Sequence, residues 1–590
     1  MARMTSYRLS RRHLMASAVG AGIGMGAFSV NAAMVNAGFP SRGPAHWRAI
    51  TETVGTEPVD DPASDAADSH APLWKQESDP PVRGGILPTA LGKDIENLLV
   101  MHYVNGPLRI AAGFCYRRLV QYRALGYHDL EVAPDMADSW EILDDGRTYV
   151  FHIHPGIHWH DIPPVNGREF TADDVGWTID YYRNQNDEYG YLWAWVSSWE
   201  APDKYTIVIH TDQPNAEALQ MMAVDNNVML AREVFEQDGS FKERVIGTGP
   251  FIWDSWDPGV KVQVRRNPNY WEISELDGER LPYLDGVDMF VMPDYAARLA
   301  AFRAQRVSGN VWGFQPEPAD VDSLVESLPN LRRWDGVRFL SGSGIILNVT
   351  RPPWDNVNVR RAASMALDRD AMIADIMNGS ARWGGFITAA FEDYAWSEEK
   401  LRSLPYLQYN PDEARRLIEE AVVGDTPIPI VTYTTSGTAK VLVQTIQQMW
   451  QAVGLNATLE TTDVPTGYQK RVTGDFSVLG EGVGFSSGSL DAATRQLFHS
   501  EGDRNYGRVS DPEIDELTNQ LFVELDLEKR IEIVDKFQQN MAENMWFIPH
   551  YDEIETILDH AWVMNKAFHW QLAWPYPERI WYDSSRKSAG

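Results

Sequence analysis

The chain predicts an α/β fold spread over two or three domains, and three observations carry that expectation. Its 590 residues exceed what one hydrophobic core organises. Short runs of alternating apolar and polar residues recur, as in Val260-Lys261-Val262-Gln263-Val264-Arg265, which is the pattern of a half-buried strand. Between them lie longer stretches that open on capping residues, as in Asn410-Pro411-Asp412-Glu413, where Pro suits the first helical turn. Hydrophobic residues make up 44% and charged residues 23%, ordinary for a globular protein, and 22 Trp, 23 Tyr and 21 Phe exclude disorder over the whole chain.

The first 32 residues read as an address. Arg11 and Arg12 precede an uncharged, weakly apolar stretch from Ala16 to Val30, and Val30-Asn31-Ala32 has small residues where a signal peptidase cuts. Paired arginines before such a stretch resemble a twin-arginine signal, so residues 1–32 are expected to export the chain, with retention as an uncleaved anchor the alternative. The apolar stretch is shorter than the roughly 20 residues that span a bilayer. Residues 33–80 are dense in Pro, Ser, Ala and Asp and predict a disordered linker.

The compact part then begins near Gly84-Gly85. A strand is expected to Leu91, and a helix from Phe114 to Tyr122 ending near Gly126. Asp138–Leu143 and Thr148–His154 flank Asp144-Asp145-Gly146-Arg147, turn chemistry that predicts a hairpin. Thr171 caps a helix through Tyr182, with Asp173 and Asp174 in its first turn. Strands follow at 205–210, 260–265, 287–292 and 344–349, with a helix at 294–306. Helices are expected at 359–367, at 369–377 with Gly379 as C-cap, at 410–422, and at 439–453 closed by Gly454. A strand at 430–433, helices at 511–525 and 527–544, and a late strand at 546–550 complete the pattern.

Net charge and motifs narrow the function. A formal charge of −31 repels nucleic acid and anionic lipid, so no nucleic-acid partner is expected. One cysteine, Cys115, permits neither an intrachain disulfide nor a cysteine-based zinc site. His152, His154, His158 and His160 share strand faces in pairs, a spacing that suits zinc or nickel, but Pro155-Gly156 breaks the run and a plain strand–turn accounts for it. No metal or cofactor is expected. The chain has no Gly-x-Ser-x-Gly, His-Glu-x-x-His or phosphate-binding Gly-x-x-x-x-Gly-Lys-Ser/Thr pattern, and it reads as a binder, not an enzyme.

Five blocks, in order, resemble bacterial extracellular solute-binding proteins of family 5, the peptide, dipeptide and nickel type of ABC importers. They are Ala133–Glu141 with Asp145–Ile153, Trp159–Asp161 and Phe170–Val175; Gly247-Thr248-Gly249-Pro250-Phe251 with Arg266-Asn267-Pro268-Asn269-Tyr270-Trp271; Leu347-Asn348 with Pro352–Asp355 and Val359–Asp370; Asn410–Ala414; and Asp511–Asp515. The resemblance spans roughly residues 85–560. It implies a two-lobe periplasmic-binding-protein fold (type II, cluster C) with an extra subdomain and a hinge. On that model residues 80–108, 235–337 and 555–590 form lobe 1 (domain I), 109–234 the inserted domain II, and 338–554 lobe 2 (domain III), with the chain crossing near Phe339 and Tyr551.

The resemblance further implies a monomeric, periplasmic or extracytoplasmic receptor. It would capture an oligopeptide, dipeptide or sugar by hinge closure and deliver it to a membrane permease. Shifting the lobes from mostly open to mostly closed takes about 5.5 kcal/mol of differential affinity, within reach of a few stacked aromatic rings and hydrogen bonds. A secreted hydrolase and a signalling receptor without transport are the alternatives. Peptide-binding members carry an acid that holds the peptide amino group. The matching stretch here, Gly482–Leu490, has none between Glu481 and Asp491, and Ser486 stands in that place. Phe485, Ser486 and Ser487 are therefore expected to line the ligand, with Glu481 as a grip for a cation. Trp383 follows a helix exit that faces the cleft in relatives. Alternation places Trp193 and Trp195 on one strand face as a stacking platform, with core packing the competing reading for both and for Tyr116, the last candidate.

Overall fold

Ile86–Leu91 follows two glycines with left-handed backbone and lies parallel to Gly286–Val291, pairing Ile86 with Gly286 and Leu91 with Val291. The hairpin Phe251–Asp257/Lys261–Arg266 extends it antiparallel, giving a four-stranded first sheet. The computed structural model describes residues 80–99, 113–124, 130–185, 190–309, 314–337, 344–432, 437–480, 490–566 and 576–587. The expected signal and nearly all of the expected linker lie outside them.

The second sheet is antiparallel, in the order Ala137–Leu143, Thr148–Ile153, Thr206–Thr211, Val196–Asp203. Its Asp-Asp-Gly turn has left-handed φ at Asp144, Asp145 and Gly146, as the sequence chemistry requires. The helix Ala172–Gln185 packs on this sheet, and Gly176 meets the Trp199 ring so closely that an added Cβ would sit 2.4 Å from it. Before the sheet the chain differs from expectation. Val120–Ala124 is a strand paired with Leu130–Pro134, where a helix was expected. Leu119, Val120 and Tyr122 are buried, and pairing with the following strand outweighs local helical preference.

The third sheet runs Ala457–Thr461, Ile428–Thr432, Val478–Leu479, Gly344–Leu347, Phe547–Pro549. Gly344–Leu347 is buried at every position, which explains its unbroken apolar run. Helices surround this sheet, and their starts are legible in the sequence. Asn410, Asp511 and Asp526 each accept a backbone N–H in the first turn of Pro411–Glu420, Pro512–Val523 and Leu527–Asn544. The helix Arg369–Met377 ends on Asn378 in the left-handed region, one residue before the expected glycine, which is left-handed too. Trp354 and Trp450 meet at 5.3 Å in the core of this helical lobe.

A fourth, three-stranded sheet joins the parts. Tyr551–His560 pairs antiparallel with Leu331–Val337 over residues 554–560 and with Ala381–Trp383 over residues 551–553. One strand thus begins beside the helical lobe and ends beside the first sheet.

The Gly247-Thr248-Gly249 block explains itself at the root of the second sheet. Gly249 N–H donates to Cys115 O at 2.9 Å, and Phe251 N–H donates to Phe114 O at 3.1 Å. A Cβ on Gly247 would lie 2.0 Å from Cys115 O, and one on Gly249 2.5 Å from Cys115 C. Gly247 N–H donates to His160 Nδ1 at 3.3 Å, so His160 Nε2 carries the proton that meets Gly249 O at 3.1 Å. Burial pushes this imidazole down to about 4, which keeps it neutral. Gly247→Ala is expected to lower stability by about 3 kcal/mol, the upper range for overpacking against a backbone that cannot yield. Urea denaturation against the native chain measures this, and a loss below about 0.5 kcal/mol would refute the close approach.

Candidate functional site

Two buried charge clusters and one aromatic cluster flank the joining sheet and its neighbours. The first is centred on Arg117, which stands where the chain leaves the first sheet for the second. Its guanidinium meets Glu578 at 2.8 Å, Asp135 at 3.7 Å and Glu272 at 3.9 Å, and Nε donates to the Tyr270 hydroxyl at 2.9 Å. Arg579 approaches Glu272 at 3.8 Å. Burial lowers the Arg117 pKa, but Glu578, Tyr270, Asp135 and Glu272 outweigh it and hold the group well above its ordinary value. Burial first, then the neighbouring Glu578, raises Glu272. The cluster ties residues from four distant stretches of chain and presents no open face, so it is scaffold.

The second cluster holds Glu217, Asp491 and Arg530. Arg530 Nη2 meets Asp491 Oδ1 at 2.7 Å and Glu217 Oε1 at 3.1 Å, while Nη1 donates to Asp491 Oδ2 at 3.1 Å. The Asp491 side chain is 0% exposed. Glu217 comes from the loop after the second sheet. Asp491 opens the helix Leu490–Phe498, and Arg530 lies in the first turn of Leu527–Asn544.

Of the sequence-expected site residues, Trp193 and Trp195 do stack, at 6.0 Å and 20° between planes. They do so from a turn preceding Val196–Asp203, not from a strand face. Trp193 is 0% exposed and its indole N–H donates to Asn227 Oδ1 at 2.7 Å; Trp195 donates to Leu192 O at 2.8 Å and sits edge-on to Tyr149. Tyr116 is buried in the same core. Trp383 belongs to the other lobe: its indole N–H donates to Asp370 at 2.9 Å, and Arg402 covers its ring at 4.4 Å. Beneath it Arg369 is buried among the carbonyls of Pro549, Ser364 and Leu407. Glu481, Phe485, Ser486 and Ser487 lie outside the described residues. The four histidines have separate partners: His152 beside Glu141, His154 on Asp138, His158 on Gly156 O, His160 on Gly249 O. Glu217 and Arg530 escaped sequence reading, because the Glu217–Arg530 contact joins residues 313 apart and carries no local signal.

Three sheets of different topology, with a fourth, three-stranded sheet joining the first to the third, define a two-lobe binding-protein architecture. Residues 131–505 match the model of the bacterial extracellular solute-binding proteins, family 5 (its middle part). The chain belongs to that family, whose members bind solutes and are not enzymes. It is 25% identical over 469 residues to the di/tripeptide-binding protein 1 of Pseudomonas aeruginosa, covering 74% of this chain and 83% of that one. It is 25% identical over 464 residues to the dipeptide-binding protein of Escherichia coli, covering 72% and 81%. Among solved structures, the Helicobacter pylori periplasmic binding protein DppA in complex with the peptide STSA superposes with TM-score 0.72 at 21% identity, over 85% of this chain and 99% of that one. AgaA of Agrobacterium tumefaciens with agropinic acid gives 0.69 at 19%, over 81% and 94%. At these identities the superpositions establish the shared fold. No described helix is long and apolar enough to cross a membrane.

Arg117→Leu is expected to cost about 3–5 kcal/mol at neutral pH, because it leaves Glu272 and Glu578 to Arg579 and Asp135 to Arg118. Burial raises Asp135 and Glu272 and Arg117 opposes that rise, so without Arg117 the penalty grows as pH rises and shrinks as these two protonate. Urea melts across that range read it, and a pH-independent difference would contradict the charge assignment.

Proposed function

We propose that the chain is the exported receptor of an ABC importer for short peptides, closing its two lobes around the solute and presenting it to a membrane permease. Family membership supports the receptor role, and the similarity to di- and tripeptide-binding proteins over more than four-fifths of their length supports the ligand class. Closure would pivot where the strand Tyr551–His560 changes partner, between Glu553 and Ile554. A ligand touching both lobes only when closed shifts the population by its differential affinity.

The proposed lining keeps Glu481, Phe485, Ser486 and Ser487, with Trp383, Trp195, Trp193 and Tyr116 as aromatic candidates. Trp383 and the two stacked tryptophans already spend their indole N–H groups inside the protein; Trp193 and Tyr116 are buried and Trp383 lies under Arg402, so the half-buried Trp195 would offer a ring edge and the others would take part only after rearrangement. The structure sharpens the choice of anchor. Asp491, the next acid after the segment, is held by Arg530 and Glu217 with no exposed surface, so it is not free to take an ammonium group. A peptide amino group would then fall to Glu481. That single carboxylate is also the observation favouring a second reading, a neutral or anionic solute such as a sugar or an opine-like acid.

Native mass spectrometry of the folded chain, followed by titration calorimetry with alanyl-phenylalanine and its N-acetylated form, separates these readings. The peptide reading expects a released peptide ladder and binding of the free-amine form at least tenfold tighter, a difference of about 1.4 kcal/mol. Glu481→Gln should abolish that preference. A released sugar or acid, with no affinity for either dipeptide form, would replace it with the second reading.

A further inference from the structure

Among the described residues, two large apolar cores stand apart. One takes Leu87, Val264 and Met289 of the first sheet together with Phe151 and Ile207 of the second. The other takes Ile346 and Val478 of the third sheet together with helix residues such as Trp450 and Phe537. The first two sheets thus make one lobe, and the third sheet with its helices the other. Away from the joining sheet, a further contact bridges them. Phe522, near the end of Pro512–Val523 in the helical lobe, packs on the core of the first lobe, and its carbonyl accepts the Ala216 N–H at 3.2 Å. A Cβ on Gly146, in the hairpin turn of the second sheet, would lie 3.7 Å from Leu525 Cδ1.

Glu217 sits at the centre of this seam. Its Oε2 accepts the backbone N–H of Asp491 at 3.2 Å, in the first turn of Leu490–Phe498, and its Oε1 meets Arg530 Nη2 at 3.1 Å. The first N–H groups of a helix have no partner within it and favour a carboxylate, so the second sheet supplies a cap to a helix of the other lobe. The socket is built by the helical lobe alone. Arg530 is held by both Asp491 oxygens, by the carbonyls of Leu521 and Glu524, and by the Tyr394 hydroxyl. The plug is built by the first lobe alone. Glu217 N–H donates to Asn215 Oδ1 at 3.0 Å, and the Asn215 carbonyl takes the hydroxyl of Tyr149 in the second sheet. Each half keeps its own supports, which is what a contact that parts and re-forms requires.

We propose that this seam is a latch: Glu217 holds the two lobes shut without meeting the solute, keeps part of the unliganded chain closed, and so sets the receptor's affinity. The inference rests on the lobe closure proposed above and not on which solute is bound. When only the closed form binds tightly, the apparent affinity is reduced by the fraction of chain that is closed. The latch raises that fraction for every solute alike. It therefore acts on affinity and leaves selectivity to the residues that touch the solute.

Double electron–electron resonance on the full chain without added solute tests this. Nitroxides are placed on Ser198→Cys in the second sheet and Glu419→Cys in the helical lobe, both exposed, while Cys115 is buried beyond reach of the label. The native background is expected to show a short, closed distance beside a longer, open one. Glu217→Ala should lower the ratio of short to long at least about tenfold, the scale of a hydrogen bond to a charged group. Glu217→Gln keeps an acceptor for the helix N–H without the charge, and should fall between. A second pair, Ser198→Cys with Glu243→Cys, lies within the first lobe and should keep its distance; if Glu217→Ala disturbs it, Glu217→Gln carries the comparison. Two native distances whose ratio ignores both substitutions would overturn the latch and leave closure standing. A single native distance that Glu217→Ala leaves in place would overturn the latch too, and its failure to shift on adding alanyl-phenylalanine would overturn closure around a peptide as well.

Discussion

One strand carries the architecture. Tyr551–His560 is hydrogen-bonded along its first three residues to Ala381–Trp383 and along the next seven to Leu331–Val337. Backbone hydrogen bonds cannot be left unmade in a buried strand, so each half of this strand is committed to its own neighbour. Side chains reinforce both commitments. Asp552 accepts the Ala389 N–H at 2.9 Å on the helical side. On the other side His560 is stacked between Phe302 at 4.2 Å and Trp562 at 5.1 Å, and the backbone of Leu558 is bridged to Phe314 in both directions. At the change of partner the two commitments overlap by one residue, since Ile554 is in register with Val337 while its N–H donates to Ser380 O at 3.0 Å.

The second sheet depends on that arrangement from two directions. At its root the glycines of the 247–249 block let the backbone of Cys115 pass in contact with the first sheet, and the Arg117 cluster locks the passage. At its far side Glu217 fastens it to a helix of the other lobe. Both fastenings bury charge, and both hold more carboxylates than a simple ion pair. Buried ion clusters add little net stability compared with well-packed apolar groups, but breaking one partner is costly. Their effect is to fix which surfaces meet.

Legibility in the sequence follows the range of the interaction. Helices announced by their own caps were readable, and Leu527–Asn544 lies where the pattern placed it, because Asp526 and the amphipathic spacing are both local. The Asp-Asp-Gly hairpin was readable for the same reason. Leu331–Val337 was not, because Arg332, Arg333 and Asp335 break any apolar alternation, and its strand character comes from the partner. The expected helix Phe114–Tyr122 gives way to the strand Val120–Ala124 because the neighbouring strand supplies what the local sequence does not. The stacked pair Trp193 and Trp195 was expected from strand alternation and arises instead from a turn.

Charged residues show the same limit more sharply. Counting acids along a segment treats each carboxylate as available, yet availability is decided by partners hundreds of residues away. Asp491 stands one residue beyond the segment where a ligand-holding acid was sought, and by sequence it is the natural substitute. Folding removes it from contention, because Arg530 takes both of its oxygens and Glu217 crowds it with a second negative charge. The same contact gives it a different task, closing a seam between sheet and lobe. Whether a carboxylate is open to a ligand is thus decided by its internal partners and not by its place in the sequence, and Asp491 is committed to Arg530.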